Sequence, residues 1–248
     1  LRGRCHVLDL GANVDASAEN LYQYALMGSL LATAVGGKTE PRVALLNVGE
    51  EEIKGNEQVR LASHLLAQSD TINYIGYVEG SDLFRDVADV VVCDGFVGNI
   101  ALKTGEGVAG LLIELLEQAF TRSLYGRFVG LLAKPPLKKL LRLIDPARHN
   151  GASLLGLQGV VVKSHGNANE RAVLAAVRLA VREVECEVPR RINERLDEIL
   201  LCFSFLSSDI PRSSVMALPP TSSEQQIPIE ELSLSWISDN AAKLKPAK

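Results

Sequence analysis

Three consecutive β-branched residues, Val90-Val91-Val92, run into Asp94-Gly95-Phe96-Val97-Gly98-Asn99 and then into the helical apolar spacing of Ile100 through Leu116. Successive branched apolar residues mark a strand buried on both faces, the kind found inside parallel sheets. A strand that enters a helix through glycines and small polar residues leaves unpaired N–H groups at the positive end of that helix, where an anion or a carbonyl oxygen can bind. The same turn can also be purely architectural, with Asp94 capping the helix and the glycines allowing the bend. Both readings stand on shape alone.

The pattern recurs along the chain. Strand-like runs at His6–Leu10, Arg42–Val48, Asn73–Val78 and Gly159–Lys163 alternate with helical spacing over Ala18–Val35, Glu57–Gln68 and Glu170–Val184. Ser17 or Asp15 is placed to cap the first helix, Gly36-Gly37 to end it, and Ser81–Phe84 to form a short helical turn. Alternation of this kind predicts an α/β fold whose mostly parallel sheet is covered on both faces. Ligands of such sheets gather beyond the carboxyl ends of the strands. That rule sets Asn13, the charged loop Glu50–Asn56 and the Asp94–Asn99 turn along one edge.

From Thr121 to Asn150 the chain interleaves Leu, Val, Phe and Ile with Arg122, Arg127, Lys134, Lys138, Lys139, Arg142 and Arg148, against the single acid Asp145. Pro135-Pro136 is expected to split this stretch into the two arms of a helical hairpin. Its composition fits an anionic membrane interface, and equally a helix pair that caps a core or forms a dimer. A further helix is expected to end near Leu201. Residues 202–248, rich in Ser, Pro and Gln without sustained periodicity, read as a disordered tail.

A net charge of −4 gives the body of the protein no reason to bind nucleic acid. Cys5, Cys93, Cys186 and Cys202 lack metal or redox spacing, which points to reduced thiols in a cytosolic compartment and to no bound metal. No uninterrupted apolar run is long enough to cross a bilayer, and no basic-then-apolar leader opens the chain, so it is expected to be neither secreted nor membrane-spanning. Because Leu1 leads almost at once into a strand, we expect a piece of a longer protein.

P-loop, GxGxxG, GxSxG and HExxH motifs are all missing, so a serine triad and a nucleotide cradle have no support. The carboxyl edge and its surroundings instead offer Lys54, Lys103 and Lys163, the amides of Asn13, Asn56 and Asn99, His165, and several helix starts. Such groups suit an anionic reactant that is already nucleophilic, inorganic phosphate for example, which needs charge neutralisation and positioning more than a strong base. Each also has a plainer reading: Lys54 as a lysine of a charged surface loop, Lys103 as the partner of Glu106, and His165 as a structural hydrogen-bonder.

The runs LDLGANVDA (8–16), ALMGSLLA (25–32), RVALLNVGEEEIKGNE (42–57), DVVVCDGFVGNIALKTGEG (89–107) and NGASLLGLQGVVVKSHGNA (150–168) closely resemble the PlsX family of bacterial phosphate acyltransferases of phospholipid synthesis. The likeness covers residues 1–201. It implies a Rossmann-like three-layer α/β/α sandwich with a protruding hairpin over about 121–150, and transfer of an acyl group from acyl carrier protein to inorganic phosphate without a cofactor. In that family the lysine and asparagine matching Lys54 and Asn99 are associated with activity; we expect Lys54 to bind phosphate or the developing oxyanion and Asn99 to donate its amide to the thioester oxygen. His165 is a further catalytic candidate, and Asn13, Asn56, Asp94, Gly95, Gly98 and Lys163 are substrate-binding candidates. The resemblance also implies a homodimer, a cytoplasmic enzyme held peripherally at the inner face of the membrane through 121–150, and a downstream glycerol-3-phosphate acyltransferase as partner. Two departures stand out: the family's glycine-rich amino-terminal portion is absent, and the tail is foreign to it. Alternatives are a phosphate acetyl- or butyryltransferase using coenzyme A, and a truncated, non-catalytic module that binds membrane or carrier protein.

Overall fold

The alternation of the strand residues decides which helix each one meets. In the computed structural model, which describes residues 5–144 and 150–196, strands β1 (His6–Leu8), β2 (Val43–Leu46), β3 (Tyr74–Val78) and β4 (Val90–Val92) form one parallel sheet in the order β1-β4-β2-β3. Val43, Leu45, Val90 and Val92 point into a core shared with helices α1 (Ala18–Ala34) and α2 (Glu57–Ala67), whereas Ala44, Leu46, Val91 and Cys93 join a second core on the other face. Both strand runs are therefore apolar throughout, as the sequence pattern requires. Between β2 and β3 the register slips, and Gly76 takes φ 95° within β3, accommodating an extra residue at an edge strand.

Ser17 caps α1, accepting the Asn20 N–H while the Asn20 side chain returns to the Ser17 backbone. Gly28 lets this helix lie close on the sheet, since a Cβ there would sit 2.6 Å from Val90 Cγ1. On the far side of α1, Met27, Leu31 and Val35 pack against Val188 and Ile192 of a helical stretch over 188–196. The sheet is thus parallel, helix-flanked and Rossmann-like. All described residues belong to one compact unit, Leu1–Cys202. The tail expected over 202–248, and the end of the helix expected near Leu201, lie outside the described residues.

Two expectations need correction. The strand over 159–163 does not join the main sheet: only Val162–Lys163 (β6) is extended, and it pairs antiparallel with Ala152–Ser153 (β5). This small sheet is bound to α5 (Glu170–Glu185) instead. Asn150 donates to Ser164 Oγ at 2.7 Å and to the Ala172 carbonyl at 3.0 Å, and the buried Glu183 pairs with Ser153 Oγ, burial pushing its carboxyl up from the ordinary range.

The hairpin also differs. Its two arms are α3 (Gly95–Thr121) and α4 (Leu124–Ile144), and the chain reverses at 122–123, where Ser123 Oγ accepts the Gly126 N–H at 2.9 Å. Pro135 and Pro136 lie inside α4 and do not divide it. Their missing N–H groups leave the carbonyls of Leu131 and Leu132, residues exposed enough for water to take the place of the lost bonds. By length and composition α3 is also suited to span a bilayer, the one such helix among the described residues, although Lys103, Glu106, Glu114 and Glu117 interrupt its apolar run.

At the amino ends of the strands, away from the carboxyl edge, Asp89 ties β4 to β2. Its carboxylate accepts the Arg42 backbone N–H at 2.9 Å and Nε at 3.1 Å, and faces Lys38 Nζ at 3.1 Å. Burial alone would raise this carboxyl, but the Arg42 and Lys38 contacts outweigh it and hold the group well below the usual carboxylate range. A depressed folded-state pKa contributes stability that is present above the unfolded value, about 4, and is lost as pH falls through the folded one. Asp89→Asn should therefore cost about 2 kcal/mol at neutral pH, and the gap to the parent should narrow on acidification. Urea unfolding of both proteins from pH 7 to pH 3 checks this; a gap independent of pH would remove the ionic clamp.

Candidate active site

Two chain segments meet at the start of α3. Asp9, just past β1, accepts backbone N–H groups from Gly11 and Ala12, each at 2.9 Å, and from Asn13 at 2.6 Å. The loop so folded turns its Asn13 carbonyl toward the next strand's exit, where it accepts the Gly95 N–H at 2.8 Å. A Cβ at Gly95 would lie 2.7 Å from that carbonyl oxygen, and one at Gly98 would overlap the main-chain oxygen of Asp9. Both glycines are therefore required by close approach of backbone to backbone. Asp94 caps the helix, accepting the Val97 N–H at 2.8 Å.

Asn99 stands at the end of this first turn, exposed, and a Cβ added at Gly11 would meet its side chain at 3.6 Å. Below it, Cys93 donates weakly to the Asp9 carbonyl, and burial first, with Asp94 and Asp9 nearby, pushes its thiol up to about 12. That thiol is no nucleophile at neutral pH.

Because β4 lies between β1 and β2, its exit turn is flanked by the loops after both. The loop after β2 carries Lys54. Gly55, at φ 92°, packs against the Asn47 side chain, and Asn47 Nδ2 donates to the Lys54 carbonyl at 3.2 Å, so the loop is braced from below. The Lys54 ammonium is exposed and pairs with Glu51 at 2.8 Å; that bond, and the charge of Glu79 beyond β3, raise its pKa. An exposed pair of this kind is weak, so an incoming anion can take the lysine from Glu51.

The remaining candidates divide by partner. Asn56 caps α2 by accepting the Val59 N–H at 2.9 Å, and Asn13 Nδ2 donates to Tyr24 at 3.3 Å. Lys103 pairs with Glu106 at 2.8 Å on the outside of α3. Lys163 sits in β6, while His165 donates its backbone N–H to Asn150 Oδ1 at 3.0 Å and receives the Asn167 N–H at Nδ1. These bonds tie 163–167 to the small sheet and α5, and none of them reaches the loops of Lys54 or Asn99. Among the described residues no three His, Cys, Asp or Glu side chains gather as a metal site needs.

Sequence reasoning missed Asp9, Asn47 and Asn150, which brace the loops around the candidate residues. Only Asp9 had a local signal, an aspartate two residues before a glycine, which favours a side-chain-to-backbone turn.

A parallel sheet flanked by helices, with lysine and amide groups on neighbouring loops at its carboxyl edge, defines the broad class: a Rossmann-like α/β protein of the kind that gathers ligands beyond its strand ends. The family model described as "Fatty acid synthesis protein" matches residues 2–191, and the chain belongs to that family. It is 86% identical over 201 residues to a phosphate acyltransferase of Marinobacter nauticus, a match covering 81% of this chain and 59% of the relative. It is also 55% identical over 200 residues to a phosphate acyltransferase of Ectopseudomonas mendocina, with the same coverage, and 56% identical over 198 residues to one of Alkalilimnicola ehrlichii, covering 80% of this chain and 58% of the relative. The chain therefore spans somewhat under two thirds of the length of these relatives.

Proposed function

We propose that the chain carries most of the catalytic cleft of a phosphate acyltransferase that converts acyl-[acyl carrier protein] and inorganic phosphate into acyl phosphate and free carrier protein. A hydrogenphosphate oxygen attacks the thioester carbonyl, the C–S bond breaks, and the carrier thiolate leaves and takes up the proton that the phosphate gives up. The observation that carries this reading is the pairing of a readily released cation, Lys54, with an exposed amide, Asn99, on neighbouring loops of one sheet edge. Lys54 would neutralise phosphate, and Asn99 would donate to the carbonyl oxygen as it becomes negative. No base is needed, since phosphate is already nucleophilic. His165 and Lys163 would contribute only if the rest of the full-length protein brings the small sheet over the cleft.

The hairpin supports attachment to a membrane surface on the cytoplasmic side. Along α4, Leu124, Phe128 and Leu131 share one exposed stripe, and Arg127, Lys134 and Lys138 run beside it. An apolar stripe bordered by cations suits an anionic interface. The exposed faces of α3 and α5 support a homodimer, and the amphiphilic acyl phosphate would be handed to a glycerol-3-phosphate acyltransferase at that same membrane.

The deciding experiment compares long-chain acyl carrier protein with acetyl-coenzyme A as phosphate-dependent acyl donors, in the chain alone and in a form extended to the relatives' full length. Preference for the carrier protein is expected; preference for the coenzyme A thioester would overturn the reading. Activity found only in the extended form would make the present chain a binding module. For the hairpin, Leu131→Glu with Leu132→Glu should release the protein from anionic vesicles in a flotation assay, and salt should weaken binding of the parent by screening. Vesicle binding unchanged in the double variant would discard membrane contact by this face.

A further inference from the structure

The glycine-containing loop after β1 has the form of an anion cradle, yet its N–H groups are already committed. The Asp9 carboxylate takes those of Gly11, Ala12 and Asn13, acting as a resident anion in the hollow of the loop. The loop is locked in consequence, and it is the surface on which α3 begins: Asn13 binds Gly95, the Asp9 main-chain oxygen touches Gly98, and Gly11 lies beside the Asn99 side chain.

We infer that Asp9 is a positioning residue for Asn99, fixing through this loop where the amide stands at the cleft, and that the β1 loop itself does not bind phosphate. The inference rests on Asn99 being the amide that meets substrate.

Asp9→Asn keeps size and shape. One side-chain oxygen still accepts from Gly11 and Ala12, but the amide nitrogen now faces the Asn13 N–H, donor against donor, so the loop should shift while the sheet stays folded. Three measurements test the idea. In the present chain, the side-chain amide signals of Asn99 in a nitrogen-15 NMR spectrum should move in Asp9→Asn and stay in place in Asp89→Asn; signals unmoved by Asp9→Asn overturn the proposal. In the full-length form, Asp9→Asn should lower kcat about tenfold with KM for phosphate changed less than about twofold, the pattern of a lost transition-state contact.

The double variant Asp9→Asn, Asn99→Ala should be no slower than Asn99→Ala alone, because the first change acts through the second residue. Multiplied losses would show that Asp9 acts independently and would sink the proposal. A rise in KM for phosphate at unchanged kcat would return the loop to the phosphate site. Should Asn99→Ala alone be silent, the site assignment fails, and the NMR shift still decides whether Asp9 places that amide. If Asp9→Asn does not fold, Asp9→Glu, which keeps the charge but displaces it by one carbon, replaces it in all three measurements.

Discussion

Alanine at Asn99 is expected to slow turnover of the full-length form about a hundredfold, corresponding to roughly 3 kcal/mol of barrier for one lost oxyanion donor. Alanine at Lys54 should slow it by well over tenfold, with a marked rise in KM for phosphate, because that ammonium serves the anion in the ground state as well as in the transition state. Neither side chain is buried, and Asn99 sits beyond the cap of its helix, so circular dichroism and unfolding curves should match those of the parent. Two neighbours supply the contrast. Asn56→Ala removes a helix cap and should cost about 1 kcal/mol of stability while leaving turnover within a few fold, and Lys103→Ala should do little to either. Steady-state kinetics with acyl carrier protein thioester and phosphate give the answer. Near-parental rates in both Asn99→Ala and Lys54→Ala would move the active site elsewhere.

The second large effect is expected at Gly98. A methyl group there would run into the main-chain oxygen of Asp9 and lie 2.9 Å from Cys93 Sγ, and neither obstacle is the free end of a flexible side chain. Gly98→Ala must lift the first turn of α3 away from β1, and should cost about 3 kcal/mol or more. Gly107, in the same helix, has open space around it, so Gly107→Ala should be neutral or stabilise by up to about 1 kcal/mol. The pair separates helix propensity from packing within one element. Equal effects at both positions in a urea titration would mean that the close approach of α3 to β1 is not real.

Much of this fold is legible in the sequence because the information is local. The valine run of β4, the Ser17 cap and the strand-to-helix turn at Asp94 depend on neighbours within a few residues. What escaped depends on distant partners. Nothing near Gly98 says that residue 9 will press against it, and nothing in the run from Gly159 to Lys163 distinguishes a fifth parallel strand from half of a small antiparallel pair, since that choice is made by Asn150 and α5. The hairpin was misdivided for a different reason. Proline is a strong local signal, but an exposed helix can let water satisfy the carbonyls that two prolines abandon, whereas the actual reversal at 122–123 is written only in the polar pair Arg122-Ser123. At the candidate site, residue types are readable and geometry is not: Lys54 and Asn99 stand on adjoining loops because β4 is inserted between β1 and β2, an order no linear pattern displays.

On the function proposed above, the single helix α3, from Gly95 to Thr121, is a ruler between chemistry and membrane surface. At 1.5 Å per residue, Asn99 and the reversal after Thr121 are separated by roughly 33 Å along one rigid axis, about the thickness of a bilayer's hydrocarbon layer. A molecule standing upright on its hairpin tip would therefore release an acyl phosphate far out in water, with its hydrocarbon chain exposed for the whole descent. Lying along the surface, with α4 laid flat, the same molecule would bring the cleft down beside the lipid. On that reading, the tilt of this one helix decides whether the product must cross water or is delivered at the interface.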